Sequence, residues 1–301
     1  MQDTNSSIGP LSFWVPVNAG CPWWYCNTKA ELALTMPIAG PLYYRGMAEP
    51  QDPAGPPVEE DGVNFTGEQM EGLLAAACNF QGRGMAAREK CREDFRDAER
   101  EEDNTLRIMV DGLVASLQDK LSQPIEKVDS GISYQIGLVT SCVRTHFIVT
   151  DLILNGDLVE AVTLIRKQLE SVARLNELDQ RPFHKLEGKT PNIGMFFEHG
   201  GGEMYGHLSE VAHFSRPRVS ELMHVIQDGD RIGPSLYPVF TVHSFACLDM
   251  HHFVAIYFLA WITEKMAEWY PRVDHEEARM MVGLTIAYAK KIDVIRFPDL
   301  K

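Results

Sequence analysis

Positive charge is scarce in this chain. It has 28 Lys and Arg against 42 Asp and Glu over 301 residues, a formal net charge of −14. A broad nucleic-acid footprint needs clustered cations to replace counterions, so that class is excluded. A local basic site is not, because Arg174 to Arg218 also holds Arg181, Lys185, Lys189 and Arg216. RNA at such a site is the nucleic-acid partner that stays open. Cysteine is sparse too, with six residues and no Cys-x-x-Cys. Cys21 and Cys26, the close pair, fit no common zinc spacing. Cys142 and Cys247 lie in apolar stretches and read as buried free thiols, which points to a reducing cytoplasm. Long hydrophobic runs are missing. The longest, 253–262, falls short of the roughly twenty residues a bilayer span needs, so no membrane partner is expected. The first residues have no basic n-region and no apolar h-region, so no signal peptide is expected.

Familiar chemical motifs are missing as well. No Gly-x-Gly-x-x-Gly follows a strand, and no Gly-x-x-x-x-Gly-Lys-Ser/Thr loop occurs. Gly-x-Ser-x-Gly and His-Glu-x-x-His are absent. No cofactor is therefore expected. What remains is an ordinary globular composition, 45% hydrophobic and 23% charged, long enough to bury a sizeable core.

The chain changes character along its length. Residues 1–66 are rich in Pro, Gly and aromatics and read as an irregular or disordered extension. Within it, Pro22-Trp-Trp-Tyr25 is an apolar patch and 50–57 is a Pro-rich linker. Met36 and Met47 are candidate alternative starts. Thr66 with Gln69 forms a capping box. From there N-terminal helices run over 67–123, as 67–82 and 84–122, broken at Gly82 and Gly84. The charged stretch 87–103 reads as a solvated helix laced with i,i+4 pairs. Pro124 ends this region.

The remainder, 124–301, reads as an all-α bundle. Helices are expected at 131–154 and at 158–178. Asp157 caps the second, and the short turn between them makes the two antiparallel neighbours. Further helices are expected at 192–199, 203–214, 239–269 and 275–292, the last capped by Asp274. Gly200, Gly201 and Gly202 break the chain between the first two of these. A short β-hairpin is expected across Asp228-Gly229.

Two helices carry the candidate chemistry. In 158–178 the residues Leu158, Val162, Ile165, Leu169 and Val172 stay on one face at about 100° per residue. Arg166, Glu170 and Arg174 step along its edge, as a surface ladder or as the rim of a pocket. In 203–214 the buried stripe is Met204, Leu208, Val211 and Ala212. Tyr205, Ser209 and His213 follow its edge at i, i+4, i+8, and His207 points away. A histidine beside two hydroxyls suits a general base, an anion contact or a satisfied core position.

The segments Leu164-Ile-Arg-Lys-Gln-Leu-Glu-Ser-Val-Ala-Arg174 and Tyr205-Gly-His-Leu-Ser-Glu-Val-Ala-His213, followed by a hairpin and a long helix, resemble the HEPN-like all-α superfamily. The likeness covers about residues 130–292 and extends to its uncharacterised bacterial members. It implies a HEPN-like helical bundle and a nucleic-acid-linked stress or phage-defence module. In ribonuclease members an Arg precedes a His with four to six residues between them, and the pair acts on the RNA 2′-hydroxyl and phosphate. His213 matches that His. The Arg position falls at 206–208, where Gly206, His207 and Leu208 stand, so the family's Arg is absent there, and Arg174 or Arg166 is the candidate substitute from the facing helix. Other relatives are non-catalytic binding or dimerisation modules, and the apolar edges of this chain suit a homo-oligomer.

A separate reading comes from Glu210-Val-Ala-His213 and Asp249-Met-His-His252. Glu-x-x-His and Asp-x-x-His on facing helices, with Glu170 or Glu177 and Asp151 added, are the parts of a carboxylate-bridged dimetal site. That arrangement would make the chain an oxidoreductase.

Overall fold

A computed structural model describes residues 66–125, 128–197, 201–223, 225–228 and 231–295. The aromatic patch at 22–25, the linker at 50–57, Cys21, Cys26, Met36, Met47, Gly200 and the turn residue Gly229 lie outside the described residues. Residues 64–301 form one compact unit.

The described unit is all-α apart from one hairpin. Its helices are α1 (Gly67–Ala98), α2 (Glu101–Leu121), α3 (Ser130–Leu154), α4 (Leu158–Gln180), α5 (Ile193–Phe196), α6 (Gly201–Ala212), α7 (His243–Trp269) and α8 (Glu276–Lys291). Strands β1 (Val225–Asp228) and β2 (Arg231–Pro234) pair antiparallel, Val225 opposite Pro234 and Asp228 opposite Arg231.

Helix α4 is the organising element. Leu158, Val162, Ile165, Leu169 and Val172 are each at most 2% exposed, as the stripe predicts. The helix packs on α3, α6 and α7. Helix α7 is also largely buried, with Leu248, Ile256, Leu259 and Ile262 among its buried residues. By length and composition α3 and α7 are apolar enough to cross a bilayer, at mean hydropathy 1.4 and 1.5. In α7 that composition is accounted for by its central position in the bundle. Leu106, Val110, Val114 and Leu117 of α2 join the same core. Pro124 therefore marks a turn between helices and not an edge of the core.

The expected break in the first helix moves. Gly82 and Gly84 lie inside a continuous α1, each costing about 1 kcal/mol relative to Ala without ending the helix. The chain breaks instead at Glu99 and Arg100, both extended. Ion pairs fix that corner. Arg107 forks onto Glu99 at 2.9 and 2.8 Å, and Arg100 onto Asp103 at 2.8 and 2.7 Å.

Stretch 87–103 is also more than a solvated ladder. Lys90 pairs with Asp94 at 2.9 Å as expected. Arg88 and Arg92, however, reach across to the corner between α3 and α4. Arg88 Nε donates to Asp157 at 2.8 Å, and Arg92 binds Asn155 at 2.6 Å and Asp151. Asp157 is thereby occupied and makes no side-chain cap on α4. Thr66 and Gln69 do form the capping box, at 2.9 and 3.2 Å. The whole of 66–83 is exposed, with the Phe80 ring 5.3 Å from that of Tyr237, and the first buried residues of the helix are Gly84, Cys91 and Phe95.

The glycine run does not separate α5 from α6 as a plain break. Gly201 and Gly202 form the first turn of α6. A Cβ on Gly201 would lie 2.1 Å from the Cβ of Phe197, so the close approach of the two segments requires glycine there.

Candidate functional site

Helices α4 and α6 face each other, and their edges bring Arg166, Glu170, Tyr205 and His213 together. Arg166 Nε donates to Glu170 Oε1 at 3.1 Å. Its Nη2 donates to Tyr205 Oη at 3.1 Å, and its Nη1 lies 2.8 Å from His213 Nε2. Tyr205 Oη donates onward to Glu170 Oε1 at 3.0 Å. The guanidinium carbon also sits 5.2 Å from the centre of the Tyr205 ring, within cation–π range.

The chemistry of the donors fixes the histidine. A guanidinium has five N–H groups and no acceptor. Nε2 of His213 therefore accepts, and the ring proton resides on Nδ1. Burial works against the Arg166 charge. The Tyr205 hydrogen bond and the Glu170 carboxylate outweigh it and leave the guanidinium more basic than usual. His213 is exposed, while Arg166, Glu170 and Tyr205 are half-buried. None of the concavities described below takes in this quartet, which lies on an open surface.

Other expected members go elsewhere. Ser209 stands on the same edge of α6, but its Oγ is buried and makes no hydrogen bond. Arg174 leaves the edge altogether. It is 5% exposed, lies 3.0 Å from Glu177 Oε2, and donates to the carbonyls of Leu186 (3.2 Å) and Lys189. The Glu177 contact brings charges together without hydrogen-bond geometry at Oε2. Glu177 Oε1 accepts from the backbone N–H of Asn192 at 3.1 Å. Arg174 and Glu177 thus tie the loop after α4 to the core, and the surface ladder stops at Glu170. Of the expected basic segment, Arg174 and Arg216 are neutralised by Glu177 and Glu210, the latter at 3.1 Å.

The dimetal parts are not assembled. Among the described residues no three His, Cys, Asp or Glu side chains converge on a metal-sized centre. Glu210 faces Arg216 and His213 faces Arg166. Asp249 is near Asp103 and Arg100, with burial and then Asp103 pushing its carboxyl up to about 6. Asp151 binds Arg92. His252 is fully buried, its basicity pushed down to about 3 by burial and then by His146. Cys142 and Cys247 are free and buried, which pushes both thiols up to about 12.

Two features have no clear sequence signal. The first is a buried polar stack inside the bundle. His146 and His251 rings stack at 4.5 Å, and His146 Nε2 meets Asp111 at 2.7 Å. His251 meets Gln168 at 3.2 Å and Thr150 at 3.3 Å. The second is a groove between α3 and α4, about 330 Å³, with Arg144 and Lys167 on its walls. Its α3 wall is 137, 140, 141, 144, 145 and 148, a helical spacing of small polar residues and one Arg that the sequence alone does not distinguish from a solvated face.

The chain matches no protein-family model, no curated protein and no solved structure.

Proposed function

We propose that this chain is a HEPN-like, RNA-linked module whose Arg166–His213 pair is a ribonuclease-type site. The observation that carries it is the 2.8 Å contact between Arg166 Nη1 and His213 Nε2. The superfamily pattern asks for an Arg close before the His, and α4 offers one from across the interface. The quartet's open surface suits a polymer better than an enclosed small molecule. When Arg166 swings onto a phosphate, His213 Nε2 is released with its lone pair free. It then takes the proton of the RNA 2′-hydroxyl, whose oxygen attacks the adjacent phosphorus. The 5′-oxygen leaves and takes a proton from water. Tyr205 and Glu170 hold the guanidinium in place beforehand.

One observation favours a second, non-catalytic reading. Three donor nitrogens of Arg166 are already filled by Glu170, Tyr205 and His213. A closed network of this kind also suits an interaction module in which the quartet pins α6 to α4.

Incubating the full chain and its His213→Ala and Arg166→Gln variants with single-stranded RNA separates the two. The ribonuclease reading expects cleavage by the wild type and a loss of about a hundredfold or more in either variant. Equal cleavage by His213→Ala, or none by the wild type, leaves the interaction reading.

A further inference from the structure

The concavities on this molecule differ in charge. The apolar one between α6 and α7, about 350 Å³, has Glu210 and Glu221 among its walls. The one at the start of α3, about 410 Å³, sets Arg181 and Lys265 against Asp129, Asp179 and Glu268. The one beside Phe80 sets Arg88 against Asp157 and Glu160. The groove between α3 and α4 has Arg144 and Lys167 and no carboxylate in its lining. In a chain of net charge −14 this is an unusual place to leave two cations uncompensated.

Most of the described cations have a partner. Arg88, Arg92, Arg100, Arg107, Arg166 and Lys265 all pair with carboxylates. Arg144 and Lys167 form no ion pair with a described carboxylate. Both side chains are exposed and aim into the same groove, where like charges repel. The rest of the α3 wall is suited to an anion. Gly137 leaves open space, with nothing within 4 Å of the point where a Cβ would stand. Thr140 and Ser141 present hydroxyls, and Thr145 turns its own back to the Ser141 carbonyl.

We infer that this groove binds a phosphate oxyanion, held between the Arg144 guanidinium and the Lys167 ammonium with hydroxyl donors from α3. A guanidinium forks onto two phosphate oxygens, and the ammonium adds a point charge from the opposite wall. The ligand is either a phosphate of an RNA backbone or a small phosphate ester. The groove lies on the α3 side of α4, and Arg166 points the other way, to α6. The assignment does not rest on chemistry at His213.

The test uses the full chain with two probes, a fluorescent single-stranded RNA and inorganic pyrophosphate. Arg144→Gln, Lys167→Gln and the double variant keep good helix formers at exposed positions, and matching thermal melts show that they fold. Fluorescence anisotropy reads RNA binding. Amide chemical shifts of Thr140, Ser141, Arg144 and Lys167 read pyrophosphate. If the ligand is RNA, the double variant binds at least about tenfold more weakly, a change of about 1.4 kcal/mol. Its log–log salt slope also falls by between one and two. If pyrophosphate shifts those amides and RNA does not bind, the groove takes a small phosphate ester, and the RNA reading of His213 fails while this one stands. Wild-type protein that binds neither probe, or a double variant that binds both as the wild type does, overturns the inference.

Discussion

Arg166 and His213 are 47 positions apart and meet through Nη1 and Nε2 at 2.8 Å, one from α4 and the other from the end of α6. Neither residue has this partner on its own helix. The contact ties the exposed end of α6 to the half-buried edge of α4, and it holds the imidazole in a single tautomer.

Tyr205 is the joint of that network, accepting from Arg166 and donating to Glu170. Tyr205→Phe removes both bonds and keeps the ring. Its expected cost is about 1 kcal/mol, read as a lower urea midpoint. An unchanged midpoint would show that the quartet adds nothing to α4–α6 docking.

Arg174→Met leaves Glu177, 3% exposed, as an unpaired buried carboxylate and strips donors from two carbonyls. The expected loss is about 3–5 kcal/mol. Replacing both partners, Arg174→Met with Glu177→Leu, recovers a large part of it. Single and double variants of equal stability would refute a structural role for this pair. RNA cleavage per folded molecule stays at the wild-type level in the double variant.

Gly201→Ala forces a methyl group to within 2.1 Å of the Phe197 Cβ, and the backbone must yield because that atom cannot rotate away. A destabilisation of about 1–3 kcal/mol is expected. Gly202→Ala, with open space at its Cβ, serves as the comparison and costs nothing. Identical melting of the two variants would contradict the close packing at the start of α6.

How far the sequence reaches depends on what makes each feature. The α4 stripe was readable because burial repeats at the helical period, and every stripe residue is buried as its spacing requires. Tyr205 and His213 were readable for the same reason, since i and i+8 share an edge. Arg174 sits on that same spacing but turns inward to the carbonyls of Leu186 and Lys189, contacts set by a loop whose path has no period. The corner at Glu99 and Arg100 has no Gly or Pro to mark it. It is held by Arg107 and Asp103, whose charges read from sequence as surface pairs. The α3–α4 groove escapes notice because an exposed Arg and Lys on different helices look solvated until the helices are placed side by side.

Acid should unfold this protein by way of its interior. Burial, followed by the charge of His146, pushes His252 from its ordinary 6.5 down to about 3, and His251 is lowered well below 6.5 for the same first reason. Unfolded histidines take up protons as pH falls below 6.5 and these two do not, so stability is lost in that direction. Asp249, pushed up from 3.8 to about 6, works oppositely, since the folded form takes its proton first. Two histidines against one carboxyl leave a net fall of about 1.4 kcal/mol per pH unit between pH 6 and 4. Urea melts across that range measure it, and His252→Leu flattens the slope. A slope indifferent to that substitution would place the acid sensitivity elsewhere.

The asymmetry of α1 sets a gradient of amide exchange along one continuous helix. Residues 66–77 are exposed, with Leu73 and Leu74 54% and 58% exposed, while Phe80 meets the Tyr237 ring and Gly84, Cys91 and Phe95 are gripped by the body. A helical segment with few tertiary contacts opens at little cost. Protons on the outer turns therefore exchange within the dead time of the measurement, and those from Arg88 onward wait for the Arg88–Asp157 and Arg92–Asp151 clamps to release. The boundary between fast and slow amides marks where the bundle stops supporting its first helix.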